Sequence, residues 1–270
     1  MVSNARRSSA KARVRTLFLS DLHLGFRHAR VRELNDFLQG VEAERIVLVG
    51  DIVDALALAR RAFWTPEHTQ IVRVLLARQR AGTRLVYIPG NHDASLAVLA
   101  DMLQGQFEVH REWVHRTTRG ERLLVLHGDQ FDDAVNCPAW LSRVGDALYE
   151  ASVVVSHTVN NLRRVLGKPY WPLAERIKLS IGASVRYIAS FEQAAVQHAR
   201  AHGYDGVVCG HIHRANLRRI DGILYCNTGD WVESCSAVIE TAQGELQLLR
   251  WPQSSLPLRR RTAALAADAA

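Results

Sequence analysis

The chain has 270 residues, 48% apolar and 23% charged, the balance of a folded protein, which excludes disorder throughout. No apolar run reaches the roughly 18 residues needed to cross a bilayer, which excludes a transmembrane anchor. The formal net charge of +7 sits at the ends, with Arg6, Arg7, Lys11, Arg13 and Arg15 at one and Arg259, Arg260 and Arg261 against Asp268 at the other; residues 16–250 are formally neutral. That neutral body argues against nucleic acid as a partner.

In chain order, residues 1–14 read as a basic, solvated tail and 15–252 as the folded domain. The runs at 15–20 (RTLFLS), 45–49 (RIVLV) and 83–88 (TRLVYI) are short, apolar and β-rich, and each ends in a polar cluster, so they read as buried strands. Between them, 29–40 and 65–81 carry apolar residues at helical spacing, with Pro66 suited to a helix start. Alternating strands and helices give an α/β core. Further strands are expected at 106–115, 122–126, 206–209, 223–226, 236–239 and 246–251, which points to two sheets packed face to face with helices outside. Residues 138–202 lack a strand pattern but hold apolar residues at helical spacing around a break at 167–172 (GKPYWP), and read as a helical insertion. Residues 253–270 read as a second disordered tail. Cys137, Cys209, Cys226 and Cys235 form no C-x-x-C pair and read as buried thiols; with no apolar leader before the first strand, the expected location is the cytoplasm.

Polar clusters follow the strands: Asp21-Leu22-His23, Gly50-Asp51-Ile52-Val53-Asp54, Gly90-Asn91-His92-Asp93, His127-Gly128-Asp129 and Gly210-His211-Ile212-His213. In an α/β fold, loops beyond the carboxyl ends of strands converge on one edge. Oxygen and nitrogen donors without thiolate suit Mn²⁺, Fe²⁺ or Zn²⁺ in a hydrolytic rather than a structural site. A carboxylate shared between two ions ~3.5–4 Å apart makes a phosphoryl clamp and supplies hydroxide at neutral pH.

The five blocks, in this order, resemble the calcineurin-like metallophosphoesterases over residues 21–213. The resemblance implies a four-layer α/β/β/α sandwich and phosphoester or phosphoanhydride hydrolysis at two divalent metals, manganese first, with iron or zinc as alternatives. By motif, Asp21, His23 and His213 would bind one metal and Asn91, His127 and His211 the other, with Asp51 bridging. His92 would reach the substrate phosphate and protonate or stabilise the leaving oxygen, oriented by Asp54. Asp93 and Asp129 read as turn caps.

The insertion points to the substrate. Residues 156–190 carry Arg163, Arg164, Lys168, Arg176, Lys178 and Arg186 against one acid, Glu175, beside apolar helical positions. That combination suits a phosphate with an acyl chain, such as a lipid-linked nucleotide at an anionic membrane surface; the alternative is a helical pair that covers the sandwich with its arginines in water. The S-D-L-H-L-G opening, the insertion and the G-H-I-H-R close are similar to the UDP-2,3-diacylglucosamine pyrophosphatase group. That group tends to carry arginine where this chain has His92. A phosphodiesterase or phosphatase for soluble substrates is the alternative enzyme; a non-enzymatic scaffold would have lost metal ligands, and all seven expected ones are present.

Overall fold

The computed structural model describes residues 11–93, 98, 101, 103, 105–132, 155, 156, 159, 160, 163, 165, 166, 171 and 182–251. Two sheets stand face to face. The first is built from β1 (Ala12–Leu19), β2 (Val41–Val49), β3 (Arg84–Ile88), β4 (Glu108–Val109), β10 (Ser236–Glu240) and β11 (Leu246–Arg250), in the order β11-β10-β1-β2-β3-β4. Its central strands run parallel, and β10 and β11 close one side antiparallel. The second orders β5 (Trp113–Arg116), β6 (Arg122–Val125), β7 (Gly206–Cys209), β9 (Ile223–Asn227) and β8 (Asn216–Ile220) as β5-β6-β7-β9-β8, with β6, β7 and β9 parallel.

Side-chain alternation along the strands makes three cores from two sheets. Phe18, Val47, Val49, Val86 and Ile88 face inward to meet Leu123, Val125, Val208 and Cys226 between the sheets. The alternate residues Leu17, Leu19, Ile46, Leu48 and Leu85 face outward against Leu34, Phe37 and Leu38 of α1 (Val31–Gly40) and Ile71 and Leu75 of α3 (Pro66–Arg80). On the far side, Leu124, Val207, Cys209 and Tyr225 pack on Ile188, Phe191, Ala195 and Val196 of α4 (Gly182–Ala201). The layers are therefore helix, sheet, sheet, helix.

The elements differ from the sequence expectation in four places. The run expected as one strand over 106–115 is split into β4 and β5, which pair in different sheets, because here the chain crosses from one sheet to the other. Short α2 (Ala55–Arg60) and edge strand β8 carried no apolar period: α2 buries none of its residues and β8 alternates little. β8 joins β9 through Asp221-Gly222, both with positive φ (48° and 86°), the two-residue turn that an Asp-Gly pair favours in a hairpin. Finally, α4 falls in the segment expected as insertion, yet it packs as the outer helical layer of the second sheet.

Candidate metal centre

Asp21 and His23 follow β1, Asp51 and Asp54 follow β2, Asn91 and His92 follow β3, His127 follows β6, and His211 and His213 follow β7. The first three strands are parallel neighbours in one sheet and the last two in the other, so both sheets deliver these loops to one end of the sandwich. Beyond the strands the first two loops stay paired: the N–H groups of Asp21, His23 and Leu24 donate to the carbonyls of Gly50, Asp51 and Ile52, each at 2.9 Å.

Asp21, His23, Asp51, His211 and His213 have φ between 44° and 68°. The left-handed region costs a non-glycine residue roughly 1–2 kcal/mol and persists where surrounding contacts over-determine it, commonly at functional sites. Gly50, at φ 85°, lets the second sheet come close: a Cβ there would lie 2.1 Å from His127 Nδ1.

The side chains converge. His213 Nε2 lies 3.1 Å from Asp21 Oδ1 and 3.2 Å from His23 Nε2. Asp51 Oδ2 lies 3.4 Å from His127 Nε2 and 3.8 Å from His23 Nε2. Among the described residues, three groups have ligand atoms close enough for a single ion: Asp21, His23 and His213; Asp21, Asp51 and His127; and His23, Asp54 and His92. Asp54 lies behind them: Oδ2 pairs with His23 Nδ1 at 3.0 Å and Oδ1 with His92 Nδ1 at 3.3 Å, while Oδ1 also accepts from Ala57 N at 2.7 Å and caps α2. Asn91, at the end of β3, is exposed.

The donor set fits divalent cations. His127 Nδ1 donates to the Val49 carbonyl at 2.9 Å, so Nε2 carries the lone pair in the neutral ring. That atom is buried without a hydrogen-bond partner, and so is Asp21 Oδ1. By the same reasoning the Asp54 carboxylate at His23 Nδ1 leaves the His23 Nε2 lone pair facing inward. Buried acceptors aimed at one another repel unless a cation stands between them.

The electrostatics agree. Burial alone would raise the Asp21 and Asp51 carboxyls, yet both are held below the ordinary range, Asp21 chiefly by His213 and Asp51 by His127 and His23. Burial would lower His127, but the Asp51 and Asp21 carboxylates and the Val49 carbonyl push it up to about 10. His92 is likewise raised against burial, by its hydrogen bond to Asp54 and the charges of Asp51, Asp54 and Asp21. Burial opposes ionisation of Asp54 too, and His23, His92 and the Ala57 N–H hold it low.

Asp93 accepts from Ile52 N (3.0 Å), Val53 N (2.8 Å), Gly90 N (2.9 Å) and Tyr87 Oη (2.7 Å), locking the β2 and β3 loops together. Arg163 places its guanidinium over the Trp171 ring at 5.7 Å. Arg164, Lys168, Arg176 and Lys178 lie outside the described residues, as do most of both tails and Cys137. Asp132 lies outside the five motifs, and its Oδ2 is 2.9 Å from His211 Nε2. Its other partner, Tyr187, is 55 positions away, so no local motif marked it.

A family model described as calcineurin-like phosphoesterase matches residues 14–215. The UDP-2,3-diacylglucosamine hydrolase of Aromatoleum aromaticum is 24% identical over 259 residues, covering 90% of this chain and 95% of its own. Among solved structures, an archaeal phosphodiesterase has 12% identity and a TM-score of 0.44, covering 87% of this chain and 98% of its own. Yfce, a phosphoesterase from E. coli, has 16% identity and a TM-score of 0.41, covering 87% and 97%.

Proposed function

The chain belongs to the calcineurin-like phosphoesterase family and is a metal-dependent phosphohydrolase; we propose that it works with two divalent ions on a lipid-linked nucleotide. In this reading Asp21, His23 and His213 hold one ion, Asn91, His127 and His211 the other, and Asp51 serves both. The observation that carries it is the convergence of buried acceptors, with Asp21 Oδ1 and His127 Nε2 left without hydrogen-bond partners. Ions bound there supply Lewis-acid charge against phosphoryl oxygens and make water nucleophilic near neutral pH; manganese is our first choice, with iron and zinc accommodated by the same donors.

Asp54 fixes two rings at once. Its contact at His23 Nδ1 directs Nε2 toward the first ion, and its contact at His92 Nδ1 directs the other nitrogen of His92 outward. The neighbouring carboxylates favour a protonated His92, which suits donation of a proton to the departing oxygen. His92 N–H also donates to Asp51 Oδ1 at 2.9 Å, which ties the acid to the shared carboxylate. Asp54 is thus a positioning residue and His92 the catalytic acid.

For substrate we propose UDP-2,3-diacylglucosamine or a related amphipathic nucleotide, cleaved at the pyrophosphate. The Aromatoleum relative supports this, because the likeness runs nearly the full length of both chains. So does the basic, apolar segment 156–190, where Val165 and Leu166 are 81% and 60% exposed beside Arg163. Arg163, Arg164, Lys168, Arg176 and Lys178 are the proposed phosphate contacts. No helix among the described residues is long and apolar enough to cross a membrane, and we place the enzyme in the cytoplasm, peripheral to an anionic inner-membrane surface. His92, standing where the resembling group carries arginine, favours a second reading, hydrolysis of a soluble phosphoester. UMP release from UDP-2,3-diacylglucosamine by the Mn²⁺-loaded protein, measured beside bis-p-nitrophenyl phosphate, decides between them: turnover of the generic diester alone discards the lipid substrate.

A further inference from the structure

His211 is gripped from outside the predicted motifs. Asp132, just after a 3₁₀ turn at Asp129–Phe131, accepts from His211 Nε2 at 2.9 Å through Oδ2 and from Tyr187 Oη at 2.5 Å through Oδ1. Tyr187 belongs to α4, and so does Phe191, one turn on, whose ring centroid lies 6.0 Å from that of His211 at an interplanar angle of 32°. Phe191 also packs edge-on against Phe131 at 5.7 Å. Gly128, at φ 118°, leaves room for this ring, since a Cβ there would lie 2.8 Å from it.

A neutral imidazole has one donor nitrogen and one acceptor nitrogen. A carboxylate at Nε2 assigns the proton to that atom and leaves the lone pair at Nδ1. We propose that Asp132 is a positioning residue for His211, itself held by Tyr187, and that together they set the tautomer and ring orientation in which Nδ1 meets the second ion. The inference rests on the two-metal reading and adds to it that α4, which begins within the basic segment 156–190, is wired to the position of the second ion. His213 meets Asp21 Oδ1 at 3.1 Å and His23 Nε2 at 3.2 Å. The Asp132 side chain is 43% exposed against 12% for His211, so its carboxylate is not a buried charge whose loss would open the core. Outer partners of this kind are typically worth ~10–100-fold in metal affinity.

The test is Mn²⁺ titration of the metal-free full-length chain by calorimetry, with electron paramagnetic resonance reporting the spin-coupled ion pair. Wild type should take up two ions. Asp132→Ala should weaken one step by ~10–100-fold and leave the other unchanged, with the coupled signal appearing only at correspondingly higher Mn²⁺. Asp132→Asn, whose amide oxygen still accepts from Nε2–H, should stay close to wild type, and Tyr187→Phe should fall between Asn and Ala. Thermal unfolding of the metal-free variants should match wild type, which separates positioning from a general structural role. Two unchanged steps in Asp132→Ala would overturn the inference, and so would an Asp132→Asn protein as defective as the alanine variant, which would make the charge rather than the hydrogen bond decisive. A wild-type chain that binds a single ion would overturn the two-metal reading itself.

Discussion

Replacing Asp51 by asparagine keeps the side-chain volume and an oxygen for the His92 N–H, and removes one negative charge from the point where the two sheets meet. Asp51 Oδ2 is 3.4 Å from His127 Nε2 and 3.8 Å from His23 Nε2, and the residue is 2% exposed, so the charge is poorly screened. At an effective dielectric constant of about 20, one unit charge at the His127 distance is worth ~5 kcal/mol. Breaking a buried pair by removing one partner typically costs about 3–5 kcal/mol. Taken as metal affinity, the lower figure already means a loss of about two orders of magnitude. Asp51→Asn should therefore lose most bound metal on dialysis and, without added Mn²⁺, hydrolyse bis-p-nitrophenyl phosphate at background rate. Metal content by elemental analysis, beside turnover, is the assay. A variant with wild-type metal and wild-type turnover would refute the shared-carboxylate argument.

His92→Ala should separate chemistry from metal binding. Its side chain meets Asp54 and stands edge-on to the His23 ring at 4.9 Å, and its backbone N–H, which alanine keeps, donates to Asp51, so two ions should still bind while kcat falls by ~10²–10⁴-fold; loss of metal would show instead that His92 belongs to the ligand set. A third prediction concerns stability in acid. Glu240 is fully buried and accepts from Arg15 (2.7 Å), Thr16 (2.9 Å) and Thr118 N (3.0 Å), and it pairs with His115 at 2.9 Å. Burial would raise its carboxyl, but these partners, His115 first, bring it down from 4.5 to about 2. A depressed carboxyl stabilises the fold above its unfolded value, so ~3 kcal/mol should be present above pH 4.5 and lost as pH falls toward 2. Urea unfolding of wild type and Glu240→Gln across that window checks this: the variant should show the shallower pH dependence, and identical slopes would contradict it.

Much of the architecture is readable because each central strand buries both faces. Leu17-Phe18-Leu19 and Ile46-Val47-Leu48 alternate between two cores, so an unbroken apolar run in the sequence becomes a strand sandwiched on both sides. The polar clusters are readable for the complementary reason: they interrupt those runs at the carboxyl ends, where parallel strands bring their loops together. What stayed hidden depends on contacts distant in sequence. Asp132 gains its interest from His211 and Tyr187, 79 and 55 positions away, and Glu240 from Thr16 and His115, 224 and 125 away. Helix α2 was hidden for another reason. It is held by a cap from Asp54 and the bond from Ala55 N to the His92 carbonyl rather than by burial, so hydrophobic periodicity carries no trace of it.

In the two-metal reading both ions sit at the end of the sandwich where the loops converge, and they share Asp51. Anomalous diffraction at the manganese edge from crystals soaked in Mn²⁺ tests it most directly. Two peaks are expected, one ringed by Asp21, His23 and His213 and one by Asn91, His127 and His211, with an Asp51 oxygen reaching both. A single peak, or a second one away from His127 and His211, would contradict it.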